Sequence, residues 1–121
     1  MGKISARIGQ ENEELAAAYL TNCGYTVLGR NFRGGGGELD IIAEKDGVVY
    51  FVEVKARRSG SQVTAIEAVT PNKKRRLAAA AEAWLYQMRG GEADCSFILI
   101  TVENTPGGTP KIDLIEDFLL W

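Results

Sequence analysis

The chain has 121 residues, 45% of them hydrophobic and 25% charged, with a net charge of −2 and no histidine. That length suits one domain, 1–121, with a real core. No apolar run reaches the ~18 residues of a membrane span, and Met1 to Gln10 lack the apolar centre of a signal peptide, so a cytoplasmic protein with no membrane partner is expected.

Without histidine, Ser-His-Asp and Cys-His catalysis and most zinc sites are excluded. Acid–base or metal chemistry must use carboxylates, lysine, tyrosine or water. The two cysteines, Cys23 and Cys95, lack metal spacing and read as small core residues.

Ile4 to Cys23 reads as a helix, with Ile8, Leu15, Ala16, Tyr19, Leu20 and Cys23 on one stripe. Gly24 supplies its stop. Glu13 borders the stripe, whereas Glu11 and Glu14 face water. Tyr25 to Phe32 is a short strand beside the next element, ended by Arg30 and Arg33. Gly34 to Gly37 lack the Lys-Ser/Thr that would follow in a P-loop, and read as a mobile loop.

Two apolar runs then flank Asp46-Gly47, a dipeptide that favours a type I′ turn. They predict a hairpin of Glu38–Lys45 and Val48–Lys55. With a two-residue loop, Lys45 faces Val48, Asp40 faces Glu53, and Glu38 faces Lys55. Alternation places Glu38, Asp40, Glu53 and Lys55 on one face, and Leu39, Ile41, Val52 and Val54 on the other.

Like charges directly opposed destabilise a sheet. A divalent cation between Asp40 and Glu53 would remove that penalty, and Mg²⁺ uses one or two carboxylates with water and phosphate oxygens. Lys55, two residues along, could bind a phosphate or hold an attacking water. The plain alternative is a solvated outer face on which Lys55 neutralises Glu53 and Glu38.

Arg58 to Ile66 is a polar loop. Thr70 as N-cap and Pro71 in the first turn open a long helix. Its core stripe is Leu77, Ala80, Ala81, Trp84, Leu85 and Met88, and Gly90-Gly91 end it. Lys73, Lys74, Arg75 and Arg76 sit in its first turns, where cations oppose the helix dipole. A phosphate there would resolve the conflict; a solvated run is the alternative.

From Lys55 to Arg76 seven basic residues accompany one acid, Glu67, so a basic patch lies on an acidic chain and suggests an anionic partner. Cys95 to Val102 is the most apolar strand, expected at the sheet centre. Pro106-Gly107-Gly108 mark a turn within Asn104 to Pro110. Lys111 to Trp121 supply a last strand or short helix. The closing Phe118-Leu119-Leu120-Trp121 either packs on the core or makes a subunit contact. The order is α-β-β-β-α-β-β/α, an α/β domain whose mostly antiparallel sheet gains a strand through the crossover helix.

Asp40, followed on the next strand by Glu53-Val54-Lys55, resembles the Asp…Glu-x-Lys signature of the PD-(D/E)XK nuclease superfamily. The wider chain resembles one branch, the YraN family of small bacterial proteins, related in fold to archaeal Holliday-junction resolvases. The matching stretches begin with Glu13-Glu14-Leu15-Ala16, Tyr19-Leu20, Gly24-Tyr25 and Arg30-Asn31-Phe32-Arg33. They continue with Gly37-Glu38-Leu39-Asp40-Ile41-Ile42, Phe51-Val52-Glu53-Val54-Lys55-Ala56-Arg57, and Glu67-Ala68-Val69-Thr70-Pro71 with Lys73 and Arg76-Leu77. They cover most of residues 9–88.

The resemblance implies a restriction-endonuclease-like fold, a mixed central sheet flanked by helices. It implies a metal-dependent endonuclease acting on nucleic-acid phosphodiesters, with branched DNA as the resolvase-like substrate. Mg²⁺ or Mn²⁺ would be held by Asp40, Glu53 and Glu13, with Lys55 as the fourth catalytic group. Arg30 and Arg33 would lie near the site, and with Arg57, Lys73, Lys74, Arg75 and Arg76 would seat the nucleic-acid backbone. Resolvase-like relatives act as dimers, and the apolar C-terminus permits a homodimer.

The chain departs from the family's pattern in three places. Asn12 stands where a glycine is usual, Val63-Thr64 where an aromatic-Gly pair is frequent, and Ser96-Phe97-Ile98 where Arg-Phe-Asp is frequent. These departures keep two other readings open: a non-catalytic nucleic-acid-binding module on a nuclease fold, and a protein–protein adaptor docking through the C-terminal tail.

Overall fold

The computed structural model describes residues 2–57, 70–104 and 107–116, without the side chains of residues 2–8 and Arg57. Helix α1 (Gly2–Asn22) leads to β1 (Thr26–Gly34), β2 (Gly37–Lys45) and β3 (Val48–Arg57). Helix α2 (Pro71–Arg89), β4 (Cys95–Glu103) and β5 (Lys111–Glu116) follow. The five strands form one sheet in the order β1-β2-β3-β4-β5. The β3–β4 pair is parallel, and the other three pairs are antiparallel. Helix α2 is the crossover that the parallel pair requires. The expected α/β architecture, a mixed sheet flanked by helices, is therefore the observed one. Among the described residues, no helix is long and apolar enough to cross a membrane.

Each helix covers one face of the sheet. Leu77, Ala80, Ala81 and Trp84 of α2 pack on Leu39, Ile42, Val49, Phe51 and Leu99. Ala16 and Leu20 of α1 pack in a second cluster with Tyr25, Ile41, Ala43, Val52, Ile98, Ile100 and Val102. Strand β4 contributes to both clusters, as its unbroken apolar run requires. The helix ends follow local chemistry. Thr70 accepts the Lys73 N–H at 3.2 Å, and Gly90 closes α2 at φ 70°. Gly24, at φ 93°, turns the chain out of α1.

The β2–β3 register is the expected one from Lys45–Val48 to Ile41–Val52, but the ladder stops there, so the expected pairs Asp40–Glu53 and Glu38–Lys55 are not formed. Asp46 and Gly47 both have positive φ, 52° and 81°, as a type I′ turn demands.

Four further expectations need correction. Gly34 to Gly37 form a second tight hairpin and not a loose loop: Gly34 pairs with Gly37 across Gly35 and Gly36, at φ 61° and 84°. Leu39 and Ile41 do not share a face, since Leu39 joins the α2 cluster and Ile41 the α1 cluster. Strict alternation fails between them, opposite Asn31, which takes a φ of 54° within the continuous strand β1.

Cys23 and Cys95 are exposed, because one follows the end of α1 and the other opens β4 before the core begins. Met88 is 62% exposed, as the buried stripe of α2 ends at Trp84 and the half-buried Leu85. The last strand ends at Glu116. The loop Arg58–Ile66 and the segment Phe118–Trp121 lie outside the described residues.

Candidate functional site

The site begins where regular pairing stops. Strand β2 pairs with β3 only as far as Ile41–Val52, while β3 stays paired with β4 through Arg57. Just past that point, Oδ2 of Asp40 accepts the main-chain N–H of Val54 at 2.8 Å. A carboxylate oxygen thus satisfies a ladder donor, which fixes the half-buried Asp40 side chain against β3.

Glu53, one residue before, is only 4% exposed. On β3 it shares the sheet side of Val49 and Phe51, which pack against α2. Its carboxyl titrates at about 7, raised from 4.5. Burial is the largest cause, followed by the charge of Asp40 and a hydrogen bond with the Asp40 side chain. Two ionised carboxylates repel and cannot hydrogen-bond each other, so the nearness of Asp40 favours the protonated form of Glu53. The charges of Lys73 and Lys55 act in the opposite direction.

The two acids expected to converge are therefore together, with Lys55 two residues along β3. The second cation was not expected in this role. Lys73, in the first turn of α2, places Nζ 3.4 Å from Oε1 of Glu53.

Glu13 approaches from α1. Its carboxyl is raised by burial and by the charges of Asp40 and Glu38, and lowered by Arg30 and a hydrogen bond from Asn31. Arg30 lies 3.9 Å from it. Glu13 thus meets the cluster through Asp40. Among the described residues, no three His, Cys, Asp or Glu side chains gather closely enough to hold a metal as a protein-only cage.

The basic residues divide. Arg33, Lys73 and Arg76 line one cavity of about 580 Å³ between the glycine hairpin and α2, together with Glu38. Arg33 lies 3.8 Å from Glu38. Arg30 lines a second cavity, of about 620 Å³, with Glu13 and Asn31 on the α1 side. Arg75 is exposed and donates to Asn72 at 3.4 Å, and Lys74 is half-buried. Arg57 pairs through its backbone with Glu103, and its side chain lies outside the described residues.

Two contributors were missed. Asn31 takes a positive φ within β1 and bonds Glu13; asparagine is a residue type that enters the left-handed region, which was the available signal. Asn12, the departure from the family's glycine, is buried and accepts Nδ2–H of Asn104 at 3.2 Å, tying α1 to the end of β4.

The family model described as uncharacterised protein family UPF0102 matches residues 12–116. A UPF0102 protein of Symbiobacterium thermophilum is 41% identical over 114 residues, covering 94% of this chain and 97% of its own. One of Trichlorobacter lovleyi is 40% identical over 118 residues, 97% of this chain and 93% of its own. One of Geobacter sulfurreducens is 39% identical over 110 residues, 91% and 86% respectively.

Proposed function

This chain belongs to the UPF0102 family, the YraN family that its motifs resemble, and we propose that it is a metal-dependent endonuclease acting on nucleic-acid phosphodiesters. One observation carries the reading. Two carboxyls, Asp40 anchored on the Val54 N–H and Glu53 buried, meet where the β2–β3 ladder ends, and the charge of Asp40 raises Glu53. A fold selected for stability alone has no use for that pair, and perturbed acids of this kind gather at functional sites.

The donor set suits Mg²⁺ or Mn²⁺. Asp40 and Glu53 supply hard carboxylate oxygens, and Mg²⁺ takes one or two of these, completing its shell with water and phosphate oxygens. A protein-only cage is not required. When bound, such an ion polarises a phosphoryl oxygen and makes a water nucleophilic near neutral pH.

Asp40, held by the Val54 N–H, and Glu53, held in the sheet, fix the ion's place. Lys55 orients the attacking water or balances charge developing on the phosphoryl group. Glu13 adds negative charge beside Asp40 from the α1 side. Arg33 and Arg76 seat the backbone by charge, without reading sequence. The basic Lys74 and Arg75 flank them on α2, and Arg30 and Arg57 extend the track. DNA, branched in particular, is the substrate that the resolvase resemblance suggests, with a homodimer as the working unit.

A second reading, a binding module without useful cleavage, is favoured by the lack of a three-acid cluster among the described residues and by Ser96-Phe97-Ile98. One experiment separates the two. Labelled DNA, linear and branched, is incubated with Mg²⁺ or Mn²⁺. The nuclease reading expects metal-dependent cleavage that falls at least ~100-fold in Asp40→Asn. Salt-sensitive binding with no cleavage at any metal concentration would leave the module instead.

A further inference from the structure

Lys73 sits where a helix would not choose a cation. It lies in the first turn of α2, where the macrodipole disfavours positive charge, and no acid accompanies it in that turn. Its main chain is fixed, since its N–H donates to the Thr70 hydroxyl. Its side chain is held differently: it is 42% exposed and crosses to Glu53. On its other side lies the cavity that it shares with Arg33 and Arg76. The ammonium thus has two anionic destinations within the sweep of one flexible stem. One is the Glu53 carboxylate, and the other is any phosphate lodged between the two arginines.

We propose that Lys73 is an exchange cation, paired with Glu53 until a divalent ion arrives and then passed to a substrate phosphate in the adjoining cavity. This rests on reading Asp40 and Glu53 as the ion's ligands. The physical reason is competition for one buried oxygen pair. An ammonium 3.4 Å from Oε1 occupies the approach that a dication must use, and two cations on one carboxylate repel each other. Displacing Lys73 frees a positive charge beside Arg33 and Arg76 at the moment the substrate needs it. Metal and phosphate binding are then coupled, and the coupling is reciprocal. Lys73 is on this account a positioning residue that guards the site before it serves the substrate. Lys55 differs, because it stays on the same strand as Glu53 whichever ion is present.

The test uses the whole chain and reads ion binding, not turnover. Lysine side-chain NMR follows the Lys73 ammonium, assigned through Lys73→Arg, while Mg²⁺ is added without nucleic acid. Calorimetry measures Mg²⁺ affinity in the wild type, Lys73→Gln and Lys73→Arg. The expected results are a Lys73 signal that moves to the position of a free, solvated lysine as the ion binds, and an affinity about tenfold tighter in Lys73→Gln. Lys73→Arg should return to the wild-type affinity. Should Lys73→Gln fail to fold, the wild-type NMR titration decides alone. A wild type that binds Mg²⁺ with the Lys73 signal unmoved overturns the exchange and leaves the nuclease reading standing. A wild type that binds no Mg²⁺ overturns both.

Discussion

Asp40 and Glu53 sit together, and the burial of Glu53 runs against stability. In the unfolded chain Glu53 has an ordinary carboxyl near 4.5, whereas in the fold it keeps its proton to about 7. The folded state therefore binds the extra proton across that window. Stability is highest below about pH 4.5 as far as this group is concerned, and falls as pH rises through 7. Glu13, also raised, adds in the same direction. Ionised Glu53 should cost the fold on the order of 3 kcal/mol above neutrality. Urea denaturation of Glu53→Gln across pH 4 to 9 should show a flatter profile and a more stable protein at pH 8. Equal slopes for the two proteins would contradict the assignment. Asp40 differs, because its oxygen also serves the backbone. Asp40→Asn can still accept the Val54 N–H and should fold normally. Asp40→Ala leaves that donor without a partner and should be less stable by about 1–3 kcal/mol in the same assay.

The elements explain how those side chains are presented. The glycine hairpin lies against the backbone of α2. A Cβ on Gly37 would overlap the carbonyl oxygen of Arg76, and one on Gly35 would come within 2.6 Å of the Ala79 oxygen. Gly36 faces open space. Gly37→Ala should therefore destabilise by about 1–3 kcal/mol. Gly36→Asn should shift the denaturation midpoint little, since asparagine tolerates its φ of 84°. Equal effects at both positions would show that the contact with α2 does not matter. Thr70→Ala should cost about 1 kcal/mol through loss of the cap on Lys73, read from the same denaturation curves.

Much of this level was legible in the sequence. Asp46-Gly47 dictated the turn, and the turn dictated the register as far as Ile41–Val52; beyond it Asp40 is held by the Val54 N–H and not by ladder pairing with Glu53. Thr70-Pro71 and Gly90 marked α2 because caps and breakers act locally. The glycine run was not legible, since four glycines permit a loose loop and a tight turn equally; the distant α2 backbone selects one. The change of face at Leu39 was hidden for a related reason. It falls opposite Asn31, with its φ of 54°, a local irregularity that a period of two cannot register. The Lys73–Glu53 pair arises from how the crossover helix lies on the sheet, and no spacing in the sequence carries that information.

At the scale of the molecule, a sheet covered by one helix on each face leaves its functional groups at one break. The acids lie between a cavity on the α2 side, lined by Arg33, Lys73 and Arg76, and one on the α1 side, lined by Arg30. A chain of net charge −2 thus presents a local basic surface, and nucleic-acid binding should be weak and salt-sensitive. One phosphate contact from each of Arg33, Lys73 and Arg76 would make log K for duplex DNA fall against log salt with a slope of about −3. Arg76→Ala should reduce that slope by about one, as measured by anisotropy titration at several salt concentrations.

The central claim is that Asp40 and Glu53 bind one divalent cation. A crystal of the protein soaked in Mn²⁺ and measured for anomalous scattering tests it most directly. The expected result is one peak bridging the two carboxylates, with oxygen distances of about 2.0–2.2 Å. A peak elsewhere, or none beside Asp40 when the soaked ion is present in excess, would contradict it.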